Sequence, residues 1–209
     1  MGVVSIKKFL KDKGFIEKVV RNSATVSKQS DIIIKRRIAG LKGVALKEFD
    51  RHPVTRELSQ GPNGINLSNT LNGVGNLFSF IGFYKSQKVI GPIRDTLKAH
   101  FNIVGVQGKR RGRKGVEAFT YQLDFPSLNS FDLVSRMPWE SGNSWVVGIE
   151  RGISGFSNFM YLKFGEGQLT AKSRSGKGLQ SRKALNVGIF KPTSYITEIL
   201  KNYRKRLRI

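Results

Sequence analysis

The chain has no cysteine, so disulfides and thiolate metal sites are excluded. It has two histidines, His52 and His100, and clusters too few His and acidic residues anywhere to suggest a metal centre. Acidic residues are scarce: 14 Asp and Glu stand against 37 Lys and Arg, a net charge of +23. No apolar run approaches the roughly 20 residues of a membrane-spanning helix. No amphipathic stretch pairs a basic face with a Trp/Phe face, so no membrane partner is expected. The opening MGVVSIKKFLKDKG lacks an uninterrupted apolar run, so no signal peptide is expected. Gly2 and Ser5 miss the myristoylation spacing by one position.

Catalytic constellations are also missing. The carboxylates are scattered, and the one candidate pair, Asp124 and Asp132, includes an Asp132 that reads as a solvated helix position. Ser173-Arg174-Ser175-Gly176-Lys177-Gly178 resembles a phosphate loop, but Gly178 stands where Ser or Thr is needed and Lys172 where the first glycine belongs. Gly73-Val74-Gly75 lacks the third glycine of a dinucleotide fingerprint. A nuclease would need clustered carboxylates for metal ions. The residues therefore point to a protein that is not an enzyme and needs no cofactor.

What is present is a folded composition: 39% hydrophobic residues, 14 Phe and 23 Gly, enough for one good core. Ser5–Lys13 reads as a short helix. Phe15–His52 then reads as mostly helical, with Ile33, Ile34, Ile38, Leu41, Ala45, Leu46 and Phe49 recurring at three- and four-residue steps. Pro53 stops that helix. His52–Tyr84 is the stretch around which the chain is organised. It passes through a Gly/Asn-rich segment, residues 61–75, and ends on Leu77–Tyr84, the most apolar run, which reads as a buried strand. The segment is read as a protruding assembly arm carrying Pro62, Asn63, Asn66, Leu67 and Leu71, with Leu77, Phe78, Phe80, Ile81 and Phe83 as its core anchor. Further on, a helix opens at Pro92, strands span 102–107 and 116–125, and a helix-like piece follows Pro126. A short helix spans 146–152, strands span 159–164 and 184–190, and a last helix follows Pro192.

The expected fold is α+β. A long N-terminal helical region and a C-terminal helix pack on a small, mostly antiparallel sheet of about five strands. Residues 1–52 form the basic helical region and 53–209 the body, within a single compact domain.

The basic residues fall into three clusters. Lys109, Arg110, Arg111, Arg113 and Lys114 occupy a first Gly-rich loop, and Lys172, Arg174, Lys177, Arg182 and Lys183 a second. Lys201, Arg204, Lys205, Arg206 and Arg208 follow at the C-terminus. The two loops are the candidate DNA-proximal sites, because such loops bring amides and long cations to phosphates without reading sequence. The alternative is that they are solvated or dock on an acidic protein.

Several runs together resemble a family. They are Phe49 to Leu58 (FDRHPVTREL), Gly61-Pro62, Asn76 to Phe83 (NLFSFIGF) and Pro138-Trp139-Glu140. Gly152 to Phe156 (GISGF), Ser173 to Gln180 (SRSGKGLQ) and Phe190-Lys191-Pro192 complete the set. With them the chain resembles the neck, or head–tail joining, proteins of contractile-tailed bacteriophages, of the tail-completion or tail-terminator type. The resemblance implies a structural protein of the virion, assembled in the host cytoplasm into a homo-oligomeric ring between portal and tail. Its partners would be copies of itself, the portal or connector, and tail-tube or sheath proteins, with non-specific DNA contact in a basic lumen. The rival reading is a monomeric basic nucleic-acid-binding protein without catalytic activity.

Overall fold

The computed structural model describes residues 2–7, 24–73, 75–111, 117–138, 140–152, 161–162, 179–180 and 190–207. In chain order the elements are β1 (Gly2–Lys7), α1 (Ala24–Arg51), α2 (Pro53–Ser59), α3 (Leu77–Ile81), α4 (Ile90–Ala99), β2 (Ile103–Arg111) and β3 (Glu117–Leu123). They continue as β4 (Arg136–Met137), β5 (Glu140–Ser144), α5 (Trp145–Arg151), β6 (Tyr161–Leu162), β7 (Leu179–Gln180) and α6 (Ile196–Leu207). Single 3-10 turns lie at Gly61–Asn63 and Leu128–Phe131. The architecture is α+β, with the long N-terminal helix and the C-terminal helix packed around a small antiparallel sheet.

The 28 residues of α1 make a rod about 42 Å long. Ile34, Ile38, Ala45 and Phe49 are buried. Their four- and seven-residue steps place them on one stripe, which faces the core. Lys35, Arg36 and Lys47 lie exposed. The stripe packs on α6, which buries Ile196, Ile199, Leu200, Tyr203 and Leu207. Phe49 stacks on Tyr195 at 5.9 Å, and the Thr55 and Tyr195 hydroxyls share a buried 2.8 Å hydrogen bond. At the far end Arg206 pairs with Glu48. One core cluster runs from Ile34 to Leu207. Its rings include Phe83 edge-on to Trp145 at 5.7 Å and Phe80 stacked on Phe190 at 5.6 Å.

The main sheet has the order β1-β3-β2, all antiparallel. Gly2 lies opposite Leu123 and Lys7 opposite Ala118. The β2–β3 register shifts between Ile103 and Gly105 and between Gln107 and Lys109. The Tyr121 hydroxyl of β3 donates to Asp31 of α1 at 2.7 Å, tying sheet to helix. β4–β5 and β6–β7 are separate two-stranded pairs.

The sheet corrects one reading of the sequence. The helix expected at 5–13 is a strand over its described part. Val3, Val4 and Ile6 are β-branched and favour extended backbone, and β3 offers them an edge to pair with. The helix-like piece after Pro126 is a 3-10 turn at Leu128–Phe131 that leads into strand β4. The strand expected at 184–190 falls outside the described residues but for Phe190, which is in no strand.

A second correction concerns Leu77–Tyr84. Leu77–Ile81 is a helix, not a strand. Every one of its five residues is buried, so neither a two-residue nor a 3.6-residue alternation shows in the sequence. The boundaries decide it. The Asn76 side chain accepts from the Ser79 amide at 2.8 Å as N-cap. Gly82, at φ 83, closes the helix in the left-handed region, with the Phe83 amide donating back to the Phe78 carbonyl.

The third correction is to the protruding arm, because residues 61–73 and 75–76 fold back onto their own chain. Glu57, in α2, is 0% exposed, and its carboxylate gathers the segment. It accepts from the Asn66 amide at 2.9 and 3.1 Å. Ser68 donates to it from its amide at 2.9 Å and its hydroxyl at 2.7 Å, and Leu77 from its amide at 2.6 Å. Asn66 then accepts from the Leu71 and Gly73 amides, and Asn76 donates to the Pro62 carbonyl. A Cβ on Gly64 would lie 2.9 Å from the Glu57 carbonyl, so only glycine fits there. Asn69 and Asn72 take positive φ, 54 and 51, as asparagine can. The Thr70 carbonyl accepts from the Lys191 amide, which joins the loop to the C-terminal segment.

Replacing Glu57 with Ala leaves the Leu77, Ser68 and Asn66 donors without their acceptor. The expected loss is about 3–5 kcal/mol, read by urea denaturation. A loss under about 1 kcal/mol would mean that those donors find other acceptors and that the loop does not depend on Glu57.

Candidate nucleic-acid interface

The described carboxylates are mostly spent inside the molecule. Asp31 accepts from Tyr121 and Glu48 pairs with Arg206. Asp50 takes Arg94 in a fork at 2.9 and 3.1 Å, which holds the Arg94 guanidinium above its usual range. Glu57 binds its loop. Asp124 meets His100 Nδ1 at 2.8 Å. Glu150 accepts from the Thr197 amide and hydroxyl, fixing the first turn of α6. Glu198 lies 3.9 Å from His52.

The cations are on the outside. Lys28, Lys35, Arg36, Lys47 and Arg51 of α1 are exposed, as are Lys98, Lys191, Lys201, Arg204 and Lys205. Lys42 is the partial exception. Its ammonium donates to Asn102 Oδ1 at 2.9 Å, and burial together with nearby Lys98 lowers its pKa. A surface of this sign attracts polyanions.

The first basic loop is corrected in part. Lys109, Arg110 and Arg111 belong to β2, paired opposite 117–119, because the hairpin ladder runs further than its apolar residues suggested. Arg113, Lys114, Lys172, Arg174, Lys177, Arg182 and Lys183 lie outside the described residues. Of the arm residues, Leu71 is buried, Pro62, Asn66 and Leu67 are half-buried, and Asn63 is exposed. The anchor residues Leu77, Phe78, Phe80, Ile81 and Phe83 are all buried.

The third cluster supplies cations that sequence reasoning left out of the site. Lys201, Arg204 and Lys205 stand three and four residues apart on α6. That spacing puts them on one face and was the signal available. The Arg204 guanidinium lies over the Phe125 ring, 4.3 Å from its centroid. Among the described residues, no three His, Asp or Glu side chains are grouped to hold a metal ion, and no helix is long and apolar enough to cross a membrane. No family model matches the chain, and neither does any curated protein or solved structure.

His52 caps α2, its Nδ1 accepting from the Val54 amide at 3.3 Å, and its ring packs 4.9 Å from Tyr195. Burial lowers its pKa, outweighing the opposing pull of Glu198. A lowered folded pKa means that the unfolded chain binds the proton more readily. The stability from neutral His52 is present at neutral pH and is lost as pH falls below the unfolded value of about 6.5. Melting curves between about pH 7 and 5 should show a shallower pH dependence for His52→Asn, which keeps a capping oxygen but does not titrate. An unchanged dependence would assign the acid sensitivity to other groups.

Proposed function

We propose that this chain is a non-enzymatic structural protein of a tailed-phage particle, a homo-oligomeric ring subunit at the neck whose basic surface faces DNA. The observation that carries the DNA part of the reading is the separation of charge. The described carboxylates are mostly committed to internal partners, while most of the cations point outward. A net +23 then has no internal neutraliser and is best satisfied by a phosphate backbone. The ring and its location rest on the resemblance of the runs around Pro53, Asn76 and Pro192 to neck and tail-terminator proteins. On this reading the portal or connector and the tail tube or sheath meet the ring's two faces, and DNA passes without being read.

Two measurements test it. Native mass spectrometry should give a closed oligomer, and duplex DNA affinity should fall steeply with salt. Replacing Lys172, Arg174, Lys177, Arg182 and Lys183 with Gln should weaken binding and flatten the log–log salt slope by about 0.9 for each phosphate no longer neutralised. A monomer with the same steep slope would favour the simple nucleic-acid binder. An unchanged slope would remove that loop from the DNA surface.

A further inference from the structure

The C-terminal helix α6 forms one wall of an open cleft of about 680 Å³, and the turn after β3 forms the other. The floor is apolar, made by Pro126, Leu128 and Leu200, and the rim is cationic, made by Lys201, Arg204 and Lys205. All three cations are exposed, and no described acidic residue lines the cleft.

Arg204 is held in place from behind. Its guanidinium covers Phe125, whose ring packs on Phe101 at 5.5 Å and Tyr203 at 5.9 Å. Phe101 stacks on Tyr203 at 4.1 Å and does so from a backbone at φ 62, a left-handed conformation that costs a bulky residue. A strained turn thus serves the aromatic support under Arg204. Stacking occupies the face of a guanidinium and leaves its in-plane N–H edges, which match a carboxylate.

We propose that this cleft docks an acidic, apolar peptide segment of a partner protein, with its carboxylates on Lys201, Arg204 and Lys205 and its apolar side chains on the floor. The proposal goes beyond the DNA-facing role and does not depend on it. Charge complementarity selects the occupant. A second copy of this chain has few free carboxylates to set on the rim, because most of the described ones are held by internal partners. A duplex backbone has nothing apolar to place on Pro126, Leu128 and Leu200. A single strand stacks its bases on open aromatic faces, and Arg204 already covers the Phe125 ring. A segment with alternating Glu and Leu satisfies both floor and rim.

The test is fluorescence anisotropy with the full chain at physiological salt. The probes are a labelled Glu/Leu peptide, an oligoglutamate of equal charge and a thymidine oligonucleotide of equal charge. The Glu/Leu peptide should bind about ten-fold tighter than oligoglutamate. Arg204→Glu with Lys205→Glu should weaken it about ten-fold or more, and by a clearly larger factor than it weakens the oligonucleotide. Leu128→Ser should weaken the Glu/Leu peptide and spare oligoglutamate. Lys201→Glu alone repeats the charge test if the double variant melts early by circular dichroism. Equal binding of the two peptides, or no response to charge reversal, overturns the proposal. A loss confined to the oligonucleotide would make the cleft a nucleic-acid surface instead.

Discussion

One buried carboxylate holds the middle of this molecule together. Glu57 has no solvent contact and, among the described residues, no cation bonded to it. Its charge is met by neutral donors from Asn66, Ser68 and Leu77. Removing a carboxylate from water is costly unless its lone pairs are filled, and here the loop fills them. Without this loop Glu57 has no place in the interior, and without Glu57 the loop has nothing to fold around. The burial of Leu77–Ile81 depends on both, since the Leu77 amide at the helix start is one of the donors.

The same economy applies to four of the other described acids. Asp31 ties the sheet to α1, Glu48 and Asp50 tie α1 to α6 and α4, and Glu150 fixes the start of α6. Each sits at a junction between elements. In a chain so poor in carboxylates, placing several of them at junctions leaves the outer surface mostly to Lys and Arg. These acids serve as acceptors between elements, and the excess of positive charge, set by 37 Lys and Arg against 14 Asp and Glu, is displayed outward.

The class of fold was legible because its carriers are local and periodic. The stripe from Ile34 to Phe49 and the face from Ile196 to Tyr203 each announce a helix, and Pro53 and Pro192 mark the breaks beside them. The hairpin at 103–123 also shows its alternation in part. Leu77–Ile81 was misread because all of its side chains are buried, which erases periodicity, while the true signal lay in Asn76 and Gly82 at its ends. The loop at 61–76 was misread because glycine and asparagine suit exposed turns. What holds it is Glu57, just upstream in α2, and a buried acid has no mark in a sequence. Arg204 was legible as a charge. Its support by Phe125 and Phe101 was not, since that contact joins segments far apart in the chain.

The Glu57 hub closes over short stretches of chain: its partners lie 9, 11 and 20 residues away. The Thr55–Tyr195 bond spans 140 residues and the Arg37–Arg206 bond 169. Going from a 20- to a 140-residue loop adds about 2 kcal/mol of closure entropy. The hub is therefore the cheaper closure, and during synthesis its parts are all present long before the last helix leaves the ribosome. Until α6 arrives, the buried stripe of α1 lacks its partner. In that interval the Glu57 hub already has all of its partners in the chain, while the face of α1 that meets α6 is still uncovered.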